Sequence, residues 1–215
     1  MASRFDSDRS LDTRLRPYVL QVYRSLFPGS RYQPMEELGD TGLMFDKNWG
    51  VDGFICTASL RCWVVQSKCR RHDFLTERRY QVISGIPDFT QEFMNAAGTQ
   101  YEAPGEWFHL NAELYFFGWA TSDESGLAKW LLLDIPRYKA IVEAAGGLAK
   151  IGRLQQNKAG GKASFYAIPV TRLRDAWLAT YREGWIVPPE DDSPAPWDDE
   201  QPTASGPLLQ QSLLT

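Results

Sequence analysis

The sequence predicts one mixed α/β domain over residues 11–186, and three observations carry that expectation. Apolar residues recur at helical spacing from Leu11 to Leu26, two short strand-like runs follow at Val51–Thr57 and Arg61–Cys69, and strand-like and helical runs then alternate as far as Glu183. This is an early β-meander followed by mixed units rather than a regular βαβ repeat. A chain of 215 residues with 43% hydrophobic content can bury a substantial core. No apolar run approaches the length needed to cross a membrane.

Residues 1–10 are polar and charged and read as a flexible arm with no signal-peptide character, so the expected location is the cytoplasm, or the host cytoplasm for a phage-encoded chain. Leu11, Leu15, Val19, Val22 and Leu26 define the first helix, which Pro28-Gly29 ends and Pro17 bends or shortens. A turn-rich acidic segment, PMEELGDTGLMFDKNWG, leads into the two strands, with Ala58-Ser59-Leu60 as their loop. Further strand-like pieces lie around Tyr80–Ile83 and Phe89–Phe93. Leu110–Ala120 starts helix-like and ends as an aromatic strand, and Lys129–Asp134 is a buried strand. A helix over Ile135–Lys150, a strand over Ser164–Pro169 and a helix over Val170–Glu183 complete the domain. Residues 187–215 form an acidic, Pro-rich tail that ends in LLQQSLLT, expected to be disordered or to dock a protein partner.

Charge is unevenly distributed. The net charge is −4, but six acids and no Lys or Arg lie beyond Ile186, which leaves 21 acids against 23 bases in the body. Lys68, Arg70, Arg71, His72, Arg78 and Arg79 crowd into twelve residues, a basic cluster compatible with phosphate contacts as well as with a solvated loop. Cys56, Cys62 and Cys69 read as buried or half-buried thiols, because Cys69-x-x-His72 with Cys62 lacks the paired spacing of a zinc site. Trp107, Trp119, Trp130 and Tyr115-Phe116-Phe117 can stack bases, although core packing accounts for most of them.

The hairpin poses the chemical question, since Asp52, Gln66 and Lys68 interrupt apolar runs where an unpaired polar group is costly. A three-residue loop pairs Thr57 with Arg61 and Asp52 with Gln66, and alternation then sets Gln66 and Lys68 on one face with Val64 and Phe54. A two-residue loop would break this register. An acid, a second oxygen ligand and an amine on adjacent strands suit phosphodiester hydrolysis. A hard divalent cation takes the oxygens, and the Lys orients water and offsets charge.

The run G-V-D-G-F-I followed by W-V-V-Q-S-K resembles the second and third core strands of the PD-(D/E)xK nuclease superfamily. Asp52 stands at the motif Asp, and Gln66-Ser67-Lys68 replaces (D/E)-x-K. The chain is similar to small phage-type members, which carry a leading helix, an E-L-G-D-like turn and downstream stretches like DFTQEF and GEWFHLNAELYFFGWA. The likeness covers roughly residues 11–140. It implies a restriction-endonuclease-like core (helix, three-stranded meander, helix, strand) with an additional C-terminal strand and helices. The implied activity is a magnesium- or manganese-dependent endo- or exonuclease, acting on DNA in preference to RNA. Asp52, Gln66, the Ser67 carbonyl and Glu37 would hold the metal, and Lys68 would join Asp52, Gln66 and Glu37 in catalysis. Arg70, Arg71, Arg78 and Arg79 would contact the nucleic acid. Gln66 supplies a carbonyl oxygen but no charge, so a compensating acid is expected from Glu37 first, or from Asp40, Asp46 or Glu92. The alternative is a weak or inactive nuclease fold that binds nucleic acid or a protein partner through the acidic tail. A homodimer is compatible with either.

Overall fold

The computed structural model describes residues 4–58, 60–72, 82–83, 86–156 and 163–186. Helix α1 spans Arg4–Leu26 and keeps Pro17 inside it. It therefore begins within the segment expected to be an arm. Leu11, Leu15, Val19, Tyr23 and Leu26 are its buried stripe, with Tyr23 taking the place that the sequence reading gave to Val22. The next elements are β1 (Arg31–Pro34), a 3₁₀ turn at Met35–Leu38, α2 (Gly39–Trp49), β2 (Gly53–Cys56) and β3 (Cys62–Arg70). Short strands β4 (Val82–Ile83) and β5 (Ile86–Pro87) lead to β6 (Phe89–Asn95) and β7 (Ala103–Pro104). A 3₁₀ turn at Glu106–Phe108 precedes β8 (Leu114–Ala120) and β9 (Leu127–Asp134). Helices α3 (Ile135–Ala144) and α4 (Leu148–Ile151) follow, then β10 (Arg153–Gln156), β11 (Ser164–Ile168), a 3₁₀ stretch at Val170–Ala176, β12 (Trp177–Thr180) and β13 (Gly184–Trp185).

A seven-stranded sheet runs in the order β1-β2-β3-β8-β9-β12-β13, antiparallel except where β8 lies parallel to β3. A four-stranded sheet, β10-β11-β6-β7, packs over one of its faces together with α3, while α1 covers the other. Alternation along β8 shows this division. Leu114 and Phe116 join Val19, Tyr23, Ile55 and Val65 on the α1 side, whereas Tyr115, Phe117 and Trp119 join Phe89, Tyr138 and Ile168 on the other. The mixed α/β class thus holds.

Several local expectations are revised. Residues 110–113 are not helical, and the helix expected over Ile135–Lys150 stops at Ala144 before Gly146 and Gly147, both at positive φ. The segment read as a helix over Val170–Glu183 is a 3₁₀ stretch that hands over to β12, because Trp177–Thr180 is buried throughout and pairs with Leu131–Leu133 of β9. A run buried on both faces has no periodicity to separate strand from helix. Between β3 and β8, the described residues contain strands and a 3₁₀ turn, and residues 73–81 and 84–85 of this interval lie outside them, so the expected helix is neither found nor replaced there. Tyr80 and Gln81 of the Tyr80–Ile83 piece, Arg78, Arg79 and the tail 187–215 lie outside the described residues.

The hairpin keeps the three-residue register. The Thr57 amide bonds the Arg61 carbonyl at 2.8 Å, Cys56 faces Cys62 and Phe54 faces Val64. Leu60 adopts a φ of 63° to close the loop. Cys56 and Cys62 are not free thiols but a disulfide, since their positions across a non-hydrogen-bonded pair bring the Cα atoms to 4.1 Å. Cys69 keeps its thiol, which burial pushes well above the ordinary range, away from reactivity. A bridge that closes so short a loop stabilises by about 2 kcal/mol on the chain-entropy model. Cys56→Ser combined with Cys62→Ser should therefore lower the unfolding free energy of the oxidised protein, measured by urea titration, by that much. The variant and the wild type should unfold alike once dithiothreitol is present.

Candidate functional site

Asp52 sits immediately before β2, and its main chain is held on three sides. Its amide donates to the Val65 carbonyl at 2.9 Å, and its carbonyl accepts from the Met35 amide at 2.9 Å and the Tyr32 hydroxyl at 3.2 Å. The Tyr32 ring lies against Gly53, where an added Cβ would come within 2.5 Å of ring atoms. Only glycine lets the ring approach this closely. Beyond Gly53 the ladder to β3 continues through a side chain, as Asp52 Oδ2 accepts from the Ser67 amide at 2.6 Å. In a strand the N–H and C=O of one residue point to the same neighbour, so the Ser67 carbonyl faces the Asp52 edge too. The Ser67 hydroxyl points the other way and meets the Tyr23 hydroxyl at 2.8 Å under α1.

Gln66 and Lys68 project from the opposite face of β3, toward the second sheet, and converge there on Glu106. The Glu106 carboxylate accepts from Lys68 Nζ at 2.8 Å, Gln66 Nε2 at 3.2 Å, Gln91 Nε2 at 3.2 Å and the Tyr115 hydroxyl at 2.6 Å. Gln91 is in turn fixed by the Tyr138 hydroxyl, which donates to its Oε1 at 3.3 Å. The Glu106 side chain is 10% exposed and that of Lys68 19%. Burial alone would raise the Glu106 pKa. The Lys68 charge, the hydrogen bonds from Lys68 and Tyr115, and the charge of Arg70 outweigh it, and the carboxyl is held below its ordinary range. Burial first and the Glu106 charge second push the Tyr115 hydroxyl far up, so it stays a proton donor.

One atom of this cluster is left over. Gln66 Oε1 is buried and has no hydrogen-bond partner among the described residues. Exchanging the amide oxygen and nitrogen would set the oxygen against the Glu106 carboxylate, so the orientation is determined by chemistry. An unsatisfied buried carbonyl costs about 1–3 kcal/mol.

The sequence-derived residues are thus partly assembled. The register sets Asp52 opposite Gln66, and the Asp52 carboxylate grips the peptide between Gln66 and Lys68. Glu37 is exposed on the 3₁₀ turn after β1 and accepts from Gln33 Nε2 at 2.9 Å. Gln33 faces Phe54 in register, on the β1 side of the same sheet face. Asp40 is exposed at the start of α2, where the side chain of Asp46 is outside the described residues. Along β6, alternation turns Gln91 toward the network and Glu92 away from it, so DFTQEF contributes an amide rather than the expected acid. Arg70 extends the Gln66–Lys68 face and donates to Thr90 Oγ1 at 3.2 and 3.0 Å. Arg71 pairs with Glu124 at 2.5 Å. Glu106 was not singled out from the sequence, where it reads as one more acid in a loop.

Among the described residues, no three His, Cys, Asp or Glu side chains group to hold a metal ion. The oxygens on offer are a mixed set: the Asp52 carboxylate, the Gln66 amide oxygen and the Ser67 carbonyl. Hard divalent cations accept such neutral oxygens beside a carboxylate, and the orphaned amide oxygen fits that use. No protein-family model, curated protein or solved structure matches the chain.

The ion pair has a defined pH signature. Because the Glu106 pKa is depressed on folding, its contribution is fully present above the unfolded value of about 4.5 and is lost as pH falls through the lower folded value. Glu106→Gln should cost about 3 kcal/mol at pH 7, the low end for a broken buried pair because Lys68 retains some solvent access. Denaturant titrations should show that gap narrowing only below pH 4.5. An equal gap at pH 3 and pH 7 would remove the charge from the explanation.

Proposed function

We propose that the chain is a metal-dependent phosphodiesterase acting on DNA, with Asp52, Gln66, Ser67 and Lys68 as its working residues. The observation that carries this reading is the buried, partnerless Gln66 oxygen beside a peptide that Asp52 holds in place. The order of elements supports it. A leading helix and an antiparallel β1–β2–β3 meander, with β8 laid parallel to β3, are compatible with the core that the PD-(D/E)xK resemblance implies.

Asp52, the Gln66 amide oxygen and the Ser67 carbonyl are the groups that would hold magnesium, with Glu37 as an exposed acid on the β1 side. When bound, the ion polarises a phosphate oxygen and lowers the pKa of water. Lys68 supplies N–H donors and positive charge where negative charge develops on phosphate. Glu106 holds the Lys68 ammonium in place at 2.8 Å, and Tyr115 and Gln91 hold Glu106. Arg70 and Arg71, the expected phosphate contacts, are held by Thr90 and Glu124 respectively.

A second reading rests on the same cluster. A lysine locked to a buried glutamate, with one carboxylate nearby, also suits a protein that binds nucleic acid without cutting it. Salt-dependent DNA binding with no heat of magnesium binding would mark that case.

Cleavage of single-stranded, branched and plasmid DNA with magnesium distinguishes the two. Asp52→Asn and Lys68→Ala, each confirmed as folded by circular dichroism, should lower the rate about 100-fold or more. Robust cleavage that is unchanged in both variants would sink the site assignment.

A further inference from the structure

The 3₁₀ turn after β7 faces two ways. Glu106 enters the polar network, while the next two residues, Trp107 and Phe108, line a cavity of about 680 Å³ with Phe93, Tyr166, Lys139 and Glu143. That volume falls within the range of about 300–1,000 Å³ usual for small-ligand sites. Trp107 and Phe93 pack against the core on one side and are only partly buried, and core packing does not account for Phe108, which is 50% exposed. The rings form a connected wall, with Phe93 centred 5.2 Å from both Phe108 and Tyr166, and Trp107 edge-on to Tyr138 at 5.5 Å. Lys139 on α3 is partly desolvated, which lowers its pKa, and it makes no ion pair among the described residues. An aromatic wall beside an unpaired cation suits a planar ring that carries a phosphate.

The turn is also rigidly placed. The Gly105 amide donates to the Phe93 carbonyl at 2.8 Å, and a Cβ on Gly105 would lie 2.8 Å from Phe93 backbone atoms. Glu106, which binds Gln66 and Lys68, and the aromatic pair that lines the cavity are thus consecutive residues of one anchored turn.

We propose that this cavity receives an unpaired base of single-stranded nucleic acid, stacked on Trp107 and Phe108 with its phosphate at Lys139, and that the substrate of the neighbouring site is single-stranded. The proposal rests on the phosphodiesterase reading for its second half only. A base inside the duplex has its faces covered by neighbouring pairs and cannot enter. Glu143 on the same wall can accept a hydrogen bond from an exocyclic amino group.

The test uses the full chain in EDTA, where cutting is suppressed. Binding of a fluorescein-labelled single-stranded 8-mer is compared with an abasic 8-mer of equal charge and with the duplex. The single strand should bind at least about tenfold tighter than either. Phe108→Ala and Lys139→Ala, both outside the core and checked by thermal melting, should each remove most of that advantage. An oligonucleotide carrying 5-iododeoxyuridine should crosslink to the peptide containing Trp107 and Phe108. Equal affinity for the abasic strand, or crosslinks confined to other peptides, would overturn the proposal. A photoreactive peptide of residues 207–215 that crosslinks to Trp107 and Phe108 where the oligonucleotide does not would assign the cavity to the chain's own tail instead. Base-dependent binding without magnesium-dependent cleavage would overturn the hydrolase reading alone, and cleavage without base dependence would overturn the stacking proposal alone.

Discussion

The Glu106 carboxylate is the group on which the interior depends. Its four donors come from β3, β6 and β8, so one side chain joins the central sheet to the sheet packed over it. A carboxylate this deep would take up a proton if burial acted alone. The nearby ammonium of Lys68 and the converging N–H and O–H groups keep it ionised. A fully donated carboxylate in a low-dielectric interior fixes the positions of its donors in return. Lys68 and the Gln66 amide nitrogen are thus held where they are, and the buried Gln66 oxygen has no partner among the described residues.

Asp52 is positioned by a different device. The strand pair ends at Gly53, and the Asp52 side chain supplies the acceptor that the next backbone carbonyl would otherwise offer to Ser67. The tight seat of Tyr32 on Gly53 and the Met35 amide fix the Asp52 main chain. Local hairpin geometry therefore sets the carboxylate edge of the site, while a turn some forty residues further along the chain sets its cationic end. Native interiors satisfy nearly all buried polar groups. A leftover oxygen between two such carefully braced ends is where a ligand has most to contribute.

The 3₁₀ turn at Glu106–Phe108 links this polar centre to the aromatic cavity. Three consecutive residues cannot all face one environment in so tight a turn, and the chain uses that divergence to serve both. Gly105 is pinned to β6, and the same short turn carries both the carboxylate and the aromatic wall.

From sequence alone, the α1 stripe, the hairpin and its register, and the buried strand β9 were all legible. Each depends on periodicities of 3.6 or 2 and on a three-residue loop, which are local quantities. The disulfide follows from that same register, whereas composition alone points to thiols. Tertiary structure alone decided that Trp177–Thr180 is a strand, since a segment buried on both faces carries no periodic signal. It alone placed Gln91 rather than Glu92 at the network, because the facing of β6 is set by the sheet beneath it. Above all it brought in Glu106, which lies 38 residues from Lys68 and carries no local pattern to mark it. Periodicity can say which face of a strand a side chain occupies. Only the packing of distant segments says what waits there to meet it.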